Sequence, residues 1–561
     1  MSERNELVYV ALGGAGEIGM NCYLYGFGAG KSRRWIMVDC GVTFGDMASA
    51  PGVEIIVPDI DFISAERKRL AGIFITHAHE DHVGAIGRLW RRLRAPIYCT
   101  RFTAEVARRK LAEAGLSDAD LTVVEPHQAV EAGPFECSFF PVTHSIPDAN
   151  ALVIRSPAGA VYHSGDFKFD PQPQIGPPTD LGALAKLGEE GVLALCCDST
   201  NVFENGEAGS EESVKEGLRR AIASCDGAVA ATTFASNVAR LRNIAEIARE
   251  NDRAVVVAGR AMQRMIEAAV ESGAIPDFPH TISGDQAAET PSRHVLYLVT
   301  GSQGEGRAAL GRIASDSHPF VDLGEGDLVI YSSSTIPGNE REVYRTYNRL
   351  AERGIRVIDA DQEHVHVSGH GNRDELKQLH ELLKPQITIP VHGEYRHLVE
   401  HARLALEWGA GASQVAPNGA MVRLAGGNTQ PEIVEEIETG RVYVDGETHV
   451  GALDGVIRSR LKLARQGHVA ITLVVDEEGE LIADPEVRPV GAPEDGDGWP
   501  APLDEMIAEA VDEALEKLSK KQRLSDEILE ETASQACRRL CSKYWGKKPE
   551  TTVIAVRLEE E

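Results

Sequence analysis

The segment THAHEDHVG places His77, His79, Asp81 and His82 directly after the apolar run GIFIT. Residues i and i+2 at a strand end point the same way, so His77 and His79 can bind one metal ion. Asp81 and His82 fall past the turn, where a helix begins, and can reach a second ion. Imidazole nitrogen combined with carboxylate oxygen suits Zn²⁺ or Mn²⁺. Three more ligand-type residues follow apolar strands in the same manner: His144 after FFPVT, Asp166 after VYHSG and His392 after ITIPV. Each alone reads as a structural residue. Their shared place at the polar end of a strand makes them candidates for the same centre.

Elements must exist to carry these residues together. The first 60 residues read as paired strands, ELVYVALGG, NCYLYGFG and RRWIMVDCG. Gly14, Gly16 and Gly19 spell the dinucleotide pattern GxGxxG, with Asp39 following 20 positions later. That fold needs a helix after the last glycine. Asn21 to Gly26 instead reads as a hairpin return, which removes the dehydrogenase reading. From Ile73 to Leu195 short strands recur around a helical stretch beginning at Val83. From Ser210 strands and helices alternate, as in a parallel, doubly wound sheet. After residue 362 the earlier style returns, so the middle unit reads as an insertion. The expected division is residues 1–207 and 363–450 as one domain, 208–362 inserted into it, and 451–561 as a C-terminal domain.

Composition narrows the class. The chain has 561 residues, 43% of them apolar, with 57 Lys/Arg against 86 Asp/Glu and a formal charge of −29. That total disfavours indiscriminate coating of a polyanion, so any nucleic-acid contact must be local. From Leu461 to Glu561 there are 13 Lys/Arg and 23 Asp/Glu, which points to support or oligomer contacts rather than phosphate binding. The nine cysteines form no CxxC pair and read as reduced, buried thiols. No apolar run is long enough for a membrane span, and the N-terminus has no signal-peptide layout; a cytoplasmic protein without membrane contact is expected.

The His77–His82 motif resembles that of the metallo-β-lactamase superfamily. The resemblance implies one metal held by His77, His79 and His144, and a second by Asp81 and His82. Asp166 would bridge them, His392 would complete the set, and Asp39 would be the early structural aspartate. Asp166 and His392 stand 226 positions apart, and the insertion between them resembles the β-CASP domain. Its motifs fall at Asp198 in CCDSTN, His370 in HVSGHG and His392 in PVHGEY. A histidine at the third motif is associated with RNA as substrate. LGGAGEIGMN, FASNVAR, TGSQGE, IPGNE and VYVDG are similar to the ribonuclease J family in particular. The acidic stretch PEDGDGWPAP departs from that family's pattern.

The resemblance implies an α/β fold: a metallo-β-lactamase αββα sandwich, an inserted doubly wound β-CASP domain and a small α+β C-terminal domain. It implies 5′-to-3′ exoribonuclease and endoribonuclease action through a two-metal-activated hydroxide, in RNA maturation and decay. Two Zn²⁺ per chain are expected, with Mn²⁺ as the alternative and no nucleotide cofactor. The partners expected are single-stranded RNA, preferably 5′-monophosphorylated, and further copies of the chain in a homodimer or homotetramer.

Within this chemistry Asp81 orients the nucleophile. His370 stabilises the phosphorane or protonates the leaving oxygen. Asp198 orients His370, or else caps the DSTN turn. Ser236, Asn237, Ser302, Gln303, His366, Ser368 and Gly369 are candidates for holding RNA and a 5′-phosphate, with a helix cap as the alternative, Ser236 especially. Arg88 to Lys110 contains eight Arg/Lys against Glu105 alone and is either an RNA track or one face of a solvated helix. Two other classes compete: a small-ester or thioester hydrolase, which the insertion disfavours, and a catalytically dead scaffold, which the filled ligand positions disfavour.

Overall fold

The computed structural model describes residues 6–336, 338–426 and 430–558; Pro337 of the IPGNE string lies outside the described residues, as do the chain ends. Contacts divide the chain into two compact units. One comprises residues 1–43 and 57–441, the other residues 44–56 and 442–561. Placing 44–56 with the C-terminal residues departs from the sequence expectation. Arg460 explains it locally, with a guanidinium hydrogen bond to the Pro51 carbonyl at 3.4 Å.

The first unit is built on two sheets. An eight-stranded sheet runs Glu432–Glu436, Ala420–Ala425, Leu7–Gly13, Cys22–Phe27, Arg34–Val38, Leu70–Phe74, Ile97–Cys99 and Leu121–Val123. A seven-stranded sheet runs Val130–Ala132, Phe135–Pro141, Asn150–Ser156, Gly159–His163, Ala194–Asp198, Ile387–Val391 and Ala412–Ser413. Alternate residues of both sheets interdigitate in one core, Tyr9, Tyr25, Ile36 and Phe74 from the first with Phe139, Leu152, Ile154 and Ile389 from the second. Strands buried on both faces account for the near-continuous apolar runs of the sequence. Leu7–Gly13 pairs antiparallel with Cys22–Phe27, so the glycine-rich loop is a hairpin return and no helix opens after it. Gly14 has φ +86°, and a Cβ there would collide with the Asn21 and Tyr23 side chains.

The chain leaves the seven-stranded sheet after Ala194–Asp198 and re-enters it in the adjacent parallel strand Ile387–Val391. Between these strands lies a five-stranded parallel sheet, ordered Ala254–Ala258, Val295–Val299, Val229–Thr232, Leu328–Tyr331, Arg356–Ile358. Its strands feed two cores by simple alternation: Val229, Leu296, Leu298 and Ile330 on one face, Ala230, Val295, Tyr297 and Val329 on the other.

The segment returning from this insertion is pinned by buried polar groups. Arg240, fully buried, donates to both Glu211 oxygens at 2.9 and 2.8 Å and to the carbonyls of Ser332 and Val365, each at 3.1 Å. The Asn201 amide donates to Ser368 Oγ (2.9 Å), the His370 carbonyl (3.0 Å) and Asn372 Oδ1 (2.9 Å). Glu375 accepts from the backbone N–H groups of Phe169, Ala208 and Asn372. These contacts fix residues 365–372, the segment that carries His370.

In the second unit a three-stranded sheet, Glu486–Val490, His468–Val475 and Glu550–Arg557, packs Val469, Ile471, Leu473 and Val475 against helices Leu503–Glu516 and Asp526–Tyr544. The acidic loop before Leu503 is anchored by Trp499, whose indole N–H donates to the Tyr544 carbonyl at 3.2 Å.

Burial raises the Glu211 carboxyl, and Arg240 more than reverses that, holding it below the usual glutamate value. Its contribution to stability is therefore complete above pH ~4.3 and lost as pH falls through the depressed folded value. Arg240→Met strands the Glu211 carboxylate and should cost about 3–5 kcal/mol in denaturant unfolding at pH 7. The Arg240→Met/Glu211→Met pair should recover part of that loss, and equal stabilities of wild type and Arg240→Met would contradict the network's role.

Candidate active site

The C-terminal ends of parallel strands from both sheets deliver the polar side chains. Arg34–Val38 and Leu70–Phe74 are parallel neighbours and lead to Asp39 and to His77. Gly159–His163, Ala194–Asp198 and Ile387–Val391 are likewise parallel and lead to Asp166, Asp198 and His392. Asp39 and His392 have left-handed φ values of +63° and +50°, which non-glycine residues adopt at sharp changes of chain direction. The motif backbone is clamped: Asn21 N–H donates to the Asp81 carbonyl (2.9 Å) and Cys40 N–H to the His82 carbonyl (2.7 Å). Gly41 is required there because a Cβ would collide with the Asp81 carbonyl.

The ligand-type residues converge on Asp166. His77, His79, His144 and Asp166 form one group; Asp81, His82, Asp166 and His392 form a second. A third, Asp166, Asp198, His370 and His392, overlaps both. In the first, His79 Nδ1 lies 3.1 Å from His77 Nε2 and 3.0 Å from His144 Nε2; those two nitrogens lie 3.6 and 3.7 Å from Asp166 Oδ2. In the second, His82 Nε2 lies 3.1 Å from Asp166 Oδ2 and 3.5 Å from Asp81 Oδ2, and His392 Nε2 lies 3.2 Å from Asp81 Oδ2. Donors about 2.0–2.1 Å from a tetrahedral Zn²⁺ stand about 3.4 Å from one another, so these spacings fit shared ions.

Lone-pair directions agree. His144 Nδ1–H donates to the Gly369 carbonyl at 2.6 Å, leaving Nε2 to face the group. His82 Nδ1–H donates to Asp39 at 2.7 Å, which aims Nε2 at Asp166. Asp39 is itself held by the Thr76 N–H (2.8 Å) and hydroxyl (2.9 Å). A lone pair facing a carboxylate at that range repels it unless positive charge intervenes. Burial disfavours charge on His82, yet Asp166, Asp81 and Asp39 hold its pKa well above the ordinary value. The same surplus of negative charge suits a divalent cation. His77 and His144 are pushed the other way by burial and neighbouring imidazoles, and burial holds His79 near about 4, so all three present neutral nitrogens. His392 Nδ1 and Asp166 Oδ1 stand 2.8 Å apart, but neither makes a hydrogen bond of proper geometry. These atoms of Asp166 and His392 are left without a hydrogen-bond partner among the described residues, as suits groups that share a cation. His79, Asp81 and His370 form the partly exposed edge of the site.

His370 Nδ1 lies 2.7 Å from Asp198 Oδ2. Asp198 Oδ1 meanwhile accepts from the Thr200 N–H (2.9 Å) and hydroxyl (2.7 Å). One carboxylate therefore makes both contacts that the sequence left as alternatives. Burial alone would lower the His370 pKa, and the charges of Asp198 and Asp166 raise it.

The phosphate candidates divide. Ser368 Oγ accepts from Asn201 and from the His370 N–H, which leaves its proton to donate. His366 is half-buried beside Arg240, and desolvation and that cation hold its pKa down, near about 3. Ser236 is half-buried and does not cap the following helix. Asn237 does, accepting from the Arg240 N–H at 2.9 Å and donating to Glu211, so its side chain is unsuited to hold RNA. Gln303 is engaged likewise: its amide donates to the Ser334 carbonyl (2.9 Å) and accepts from the Ile336 N–H (2.8 Å) and the Asn339 side chain (3.3 Å). Ser302 is buried beside it. The Gly369 carbonyl orients His144, a role the sequence did not suggest. Asn21, 2.9 Å from His82 Nε2 and 3.2 Å from Asp81 Oδ2, was also missed, although it closes the glycine-rich string LGGAGEIGMN.

Five of the eight cations beside the motif are ion-paired: Arg92 meets Asp61, Arg101 Glu125, Arg108 Glu105, Arg109 Glu267 and Glu271, and Lys110 Glu80. Among the described residues Arg88, Arg91 and Arg94 have no ion pair, Arg91 donating to the Ala114 carbonyl and Arg94 to the Arg91 carbonyl. The paired part of the run reads as a solvated surface, and Arg88, Arg91 and Arg94 leave both readings of the remainder open.

Family models match in four places: the ribonuclease J β-CASP domain over residues 226–350, the ribonuclease J C-terminal domain over 455–558, the metallo-β-lactamase superfamily over 15–260, and the Zn-dependent metallo-hydrolase RNA specificity domain over 355–412. A ribonuclease J from Sinorhizobium meliloti is 42% identical over 560 residues, covering 100% of this chain and 98% of that protein. The chain belongs to the ribonuclease J family. Another ribonuclease J, from Mycolicibacterium smegmatis, is 38% identical over 96% of this chain and 94% of its own length. A crystal structure of an Enterococcus faecalis protein of unknown function shares the fold, with TM-score 0.50 and 17% identity over 74% of this chain and 100% of that one. As a ribonuclease J the protein is a ribonuclease, a hydrolase of the Zn-dependent metallo-hydrolase class with RNA as substrate, which removes the small-ester and scaffold readings. Among the described residues no helix is long and apolar enough to cross a membrane.

A Cβ on Gly369 would lie 2.6 Å from Ser145 Oγ and 2.9 Å from His144 Cε1. Gly369→Ala should therefore turn the His144 ring and lower ribonuclease kcat about 10–100-fold, the usual scale for disturbing a ligand's support. The thermal midpoint should move little, and unchanged kcat would show that the carbonyl does not position His144.

Proposed function

We propose that this ribonuclease J degrades RNA both 5′-to-3′ and internally, prefers 5′-monophosphate ends, and uses two divalent cations per chain. The observation that carries this reading is the pair of donor groups sharing Asp166, with the His370–Asp198 pair at their solvent edge. His77, His79, His144 and Asp166 would hold one ion; Asp81, His82, Asp166 and His392 would hold the other. Such ions, Zn²⁺ with Mn²⁺ as the alternative, supply Lewis acidity toward phosphate and hydroxide at neutral pH.

The chain's own residues perform the remaining steps. Asp81, on the partly exposed edge, orients the attacking oxygen. Asp198 fixes the Nδ1–H tautomer of His370 and turns Nε2 outward. The charges of Asp198 and Asp166 raise the His370 pKa against its burial, which favours the protonated imidazole whose Nε2 can deliver a proton to the departing 3′-oxygen. For a terminal phosphate the reading relies on the Ser368 hydroxyl, His366, the Gly369 backbone, Ser236 and Ser302, close to the C-terminal ends of the inserted sheet's strands where open α/β sheets bind ligands. Asn237 and Gln303 brace that surface.

The domain limits 1–207, 208–362, 363–450 and 451–561 draw support from the five parallel strands between Val229 and Ile358. A homodimer or homotetramer draws support from exposed Val490, Ile554 and Val556 on the three-stranded sheet. A cytoplasmic site of action is in keeping with nine buried, unpaired cysteines.

A 5′-monophosphorylated, end-labelled RNA should release labelled mononucleotides, and chelator or His77→Ala should abolish that release. Metal analysis should return two ions per chain. His366→Ala/Ser368→Ala should lower 5′-monophosphate preference more than internal cleavage. Products only from internal sites, or one ion per chain, would overturn the corresponding part of the proposal.

Asp198→Asn and His370→Ala should each lower kcat by about 10²-fold or more with little change in KM. The double variant should be no worse than the slower single, because one residue acts through the other. Additive losses would separate their roles.

A further inference from the structure

The helix Asp526–Tyr544 of the C-terminal unit has two unlike faces. Leu529, Ala533, Cys537 and Cys541, four residues apart, are buried against the three-stranded sheet. On another face Gln535, Arg538, Arg539, Ser542 and Lys543 recur at i, i+3, i+4, i+7 and i+8. With Lys548 from the following loop they line an open cavity of about 480 Å³. Residues 532–549 contain five Lys/Arg and no Asp or Glu, within a C-terminal segment whose total is acidic.

These cations are not engaged as the ion-paired cations beside the histidine motif are. Where Arg92, Arg101, Arg108 and Arg109 each meet a carboxylate, Arg539 shares only the amide oxygen of Gln535 at 3.1 Å. Lys543 rests over the Tyr544 ring at 4.6 Å, and Lys547 over the Trp545 ring at 5.4 Å while donating to the Arg465 carbonyl. Among the described residues Arg538 and Lys548 have no ion pair. The helix dipole accounts for a cation in the last turn, at Lys543, but its effect does not extend back to Arg538 and Arg539. Unpaired like charges gathered around a concavity repel one another, and an anionic occupant relieves that repulsion.

We propose that this face anchors the phosphate backbone of single-stranded RNA, holding long substrates by a contact separate from the metal-ligand cluster. The choice of RNA as occupant rests on the ribonuclease reading above. Gln535 to Lys543 spans about 12 Å of helix, enough to meet consecutive phosphates of an extended strand. On a chain of charge −29, a local cationic face is also what RNA attraction requires.

The test uses the full-length, metal-loaded protein with Arg538→Gln/Arg539→Gln/Lys543→Gln. All three residues are exposed, so folding should be retained, as circular dichroism and the thermal midpoint would verify. For a single-stranded RNA of about 40 nucleotides KM should rise about tenfold, and the salt slope of log(kcat/KM) should flatten by about 2, at about 0.7 per phosphate contact. For an oligomer of about six nucleotides kcat should stay within about twofold of wild type. Arg538→Lys/Arg539→Lys should behave as wild type. Arg92→Gln/Arg101→Gln/Arg108→Gln, removing equal but ion-paired charge, should leave the slope unchanged. An unchanged KM and slope in the first variant would overturn the proposal, as would equal effects in the paired-arginine control. Unchanged RNA kinetics together with lost retention on polyglutamate would assign the face to an acidic protein and overturn it too. Failure of the ribonuclease reading would look different, because wild type would then cleave neither RNA.

Discussion

The structure depends on a buried carboxylate, Asp166, that four imidazoles must approach. His82, His77, His144 and His392 all place a ring nitrogen within 4 Å of it, at 3.1, 3.6, 3.7 and 2.8 Å. A carboxylate at 2% exposure is tolerable only if compensating positive charge is fixed around it. Fixing it requires every ring to be oriented from behind, and the molecule supplies a separate device for several of them. Asp39 holds His82, the Gly369 carbonyl holds His144, and Thr76 lies 3.0 Å from His77 Nδ1. The glycine-rich hairpin exists for the same reason. Its Gly14 and the neighbouring Gly41 leave room for Asn21 and for the motif backbone to close on each other.

Such a centre constrains where an insertion can enter. Asp198 ends one strand, and the inserted chain returns beside it at His370, 2.7 Å away. Helix Arg373–Leu383 then leads to the start of the parallel neighbour Ile387–Val391, so the insertion begins and ends at one point. An excursion with coincident ends disturbs the sandwich little, and its return segment is delivered directly to the site. That segment would be a loose loop if its backbone were held by solvent alone. Arg240 and Glu375, both buried, tie it instead to the inserted sheet and to residues 169 and 208. Ser368, Gly369 and His370 thus inherit the rigidity of the surrounding core.

Legibility in the sequence followed the range of the interactions. His77 to His82 could be read because their geometry is set within six residues, and His144, Asp166 and His392 because each ends an apolar strand. The hairpin after Gly19 was legible from residue type alone. What stayed hidden involved partners remote in sequence. Asn237 and Gln303 carry polar groups that a local reading leaves free, yet Glu211, Ser334 and Ile336 take them up. Arg92, Arg101 and Arg109 looked unopposed because Asp61, Glu125, Glu267 and Glu271 lie outside the basic run. Averaging hid the opposite case: an acidic total over the last hundred residues concealed a helical face bare of carboxylates.

Charge therefore has to be judged where it sits rather than by its sum. Cation pairs of the surface kind contribute little to stability, and pairing chiefly removes their field. A polyanion approaching the histidine motif meets Arg92, Arg101, Arg108 and Arg109 already neutralised by carboxylates, and a centre crowded with Asp81, Asp166 and Asp198. On the proposed reading that centre accepts a phosphodiester only once bound cations outweigh its carboxylates, which couples metal binding to substrate binding through electrostatics alone. The same reasoning gives a cationic surface away from these carboxylates a share in attracting RNA. Side chains that assemble a cation site cannot also be the ones that draw a phosphate chain toward it.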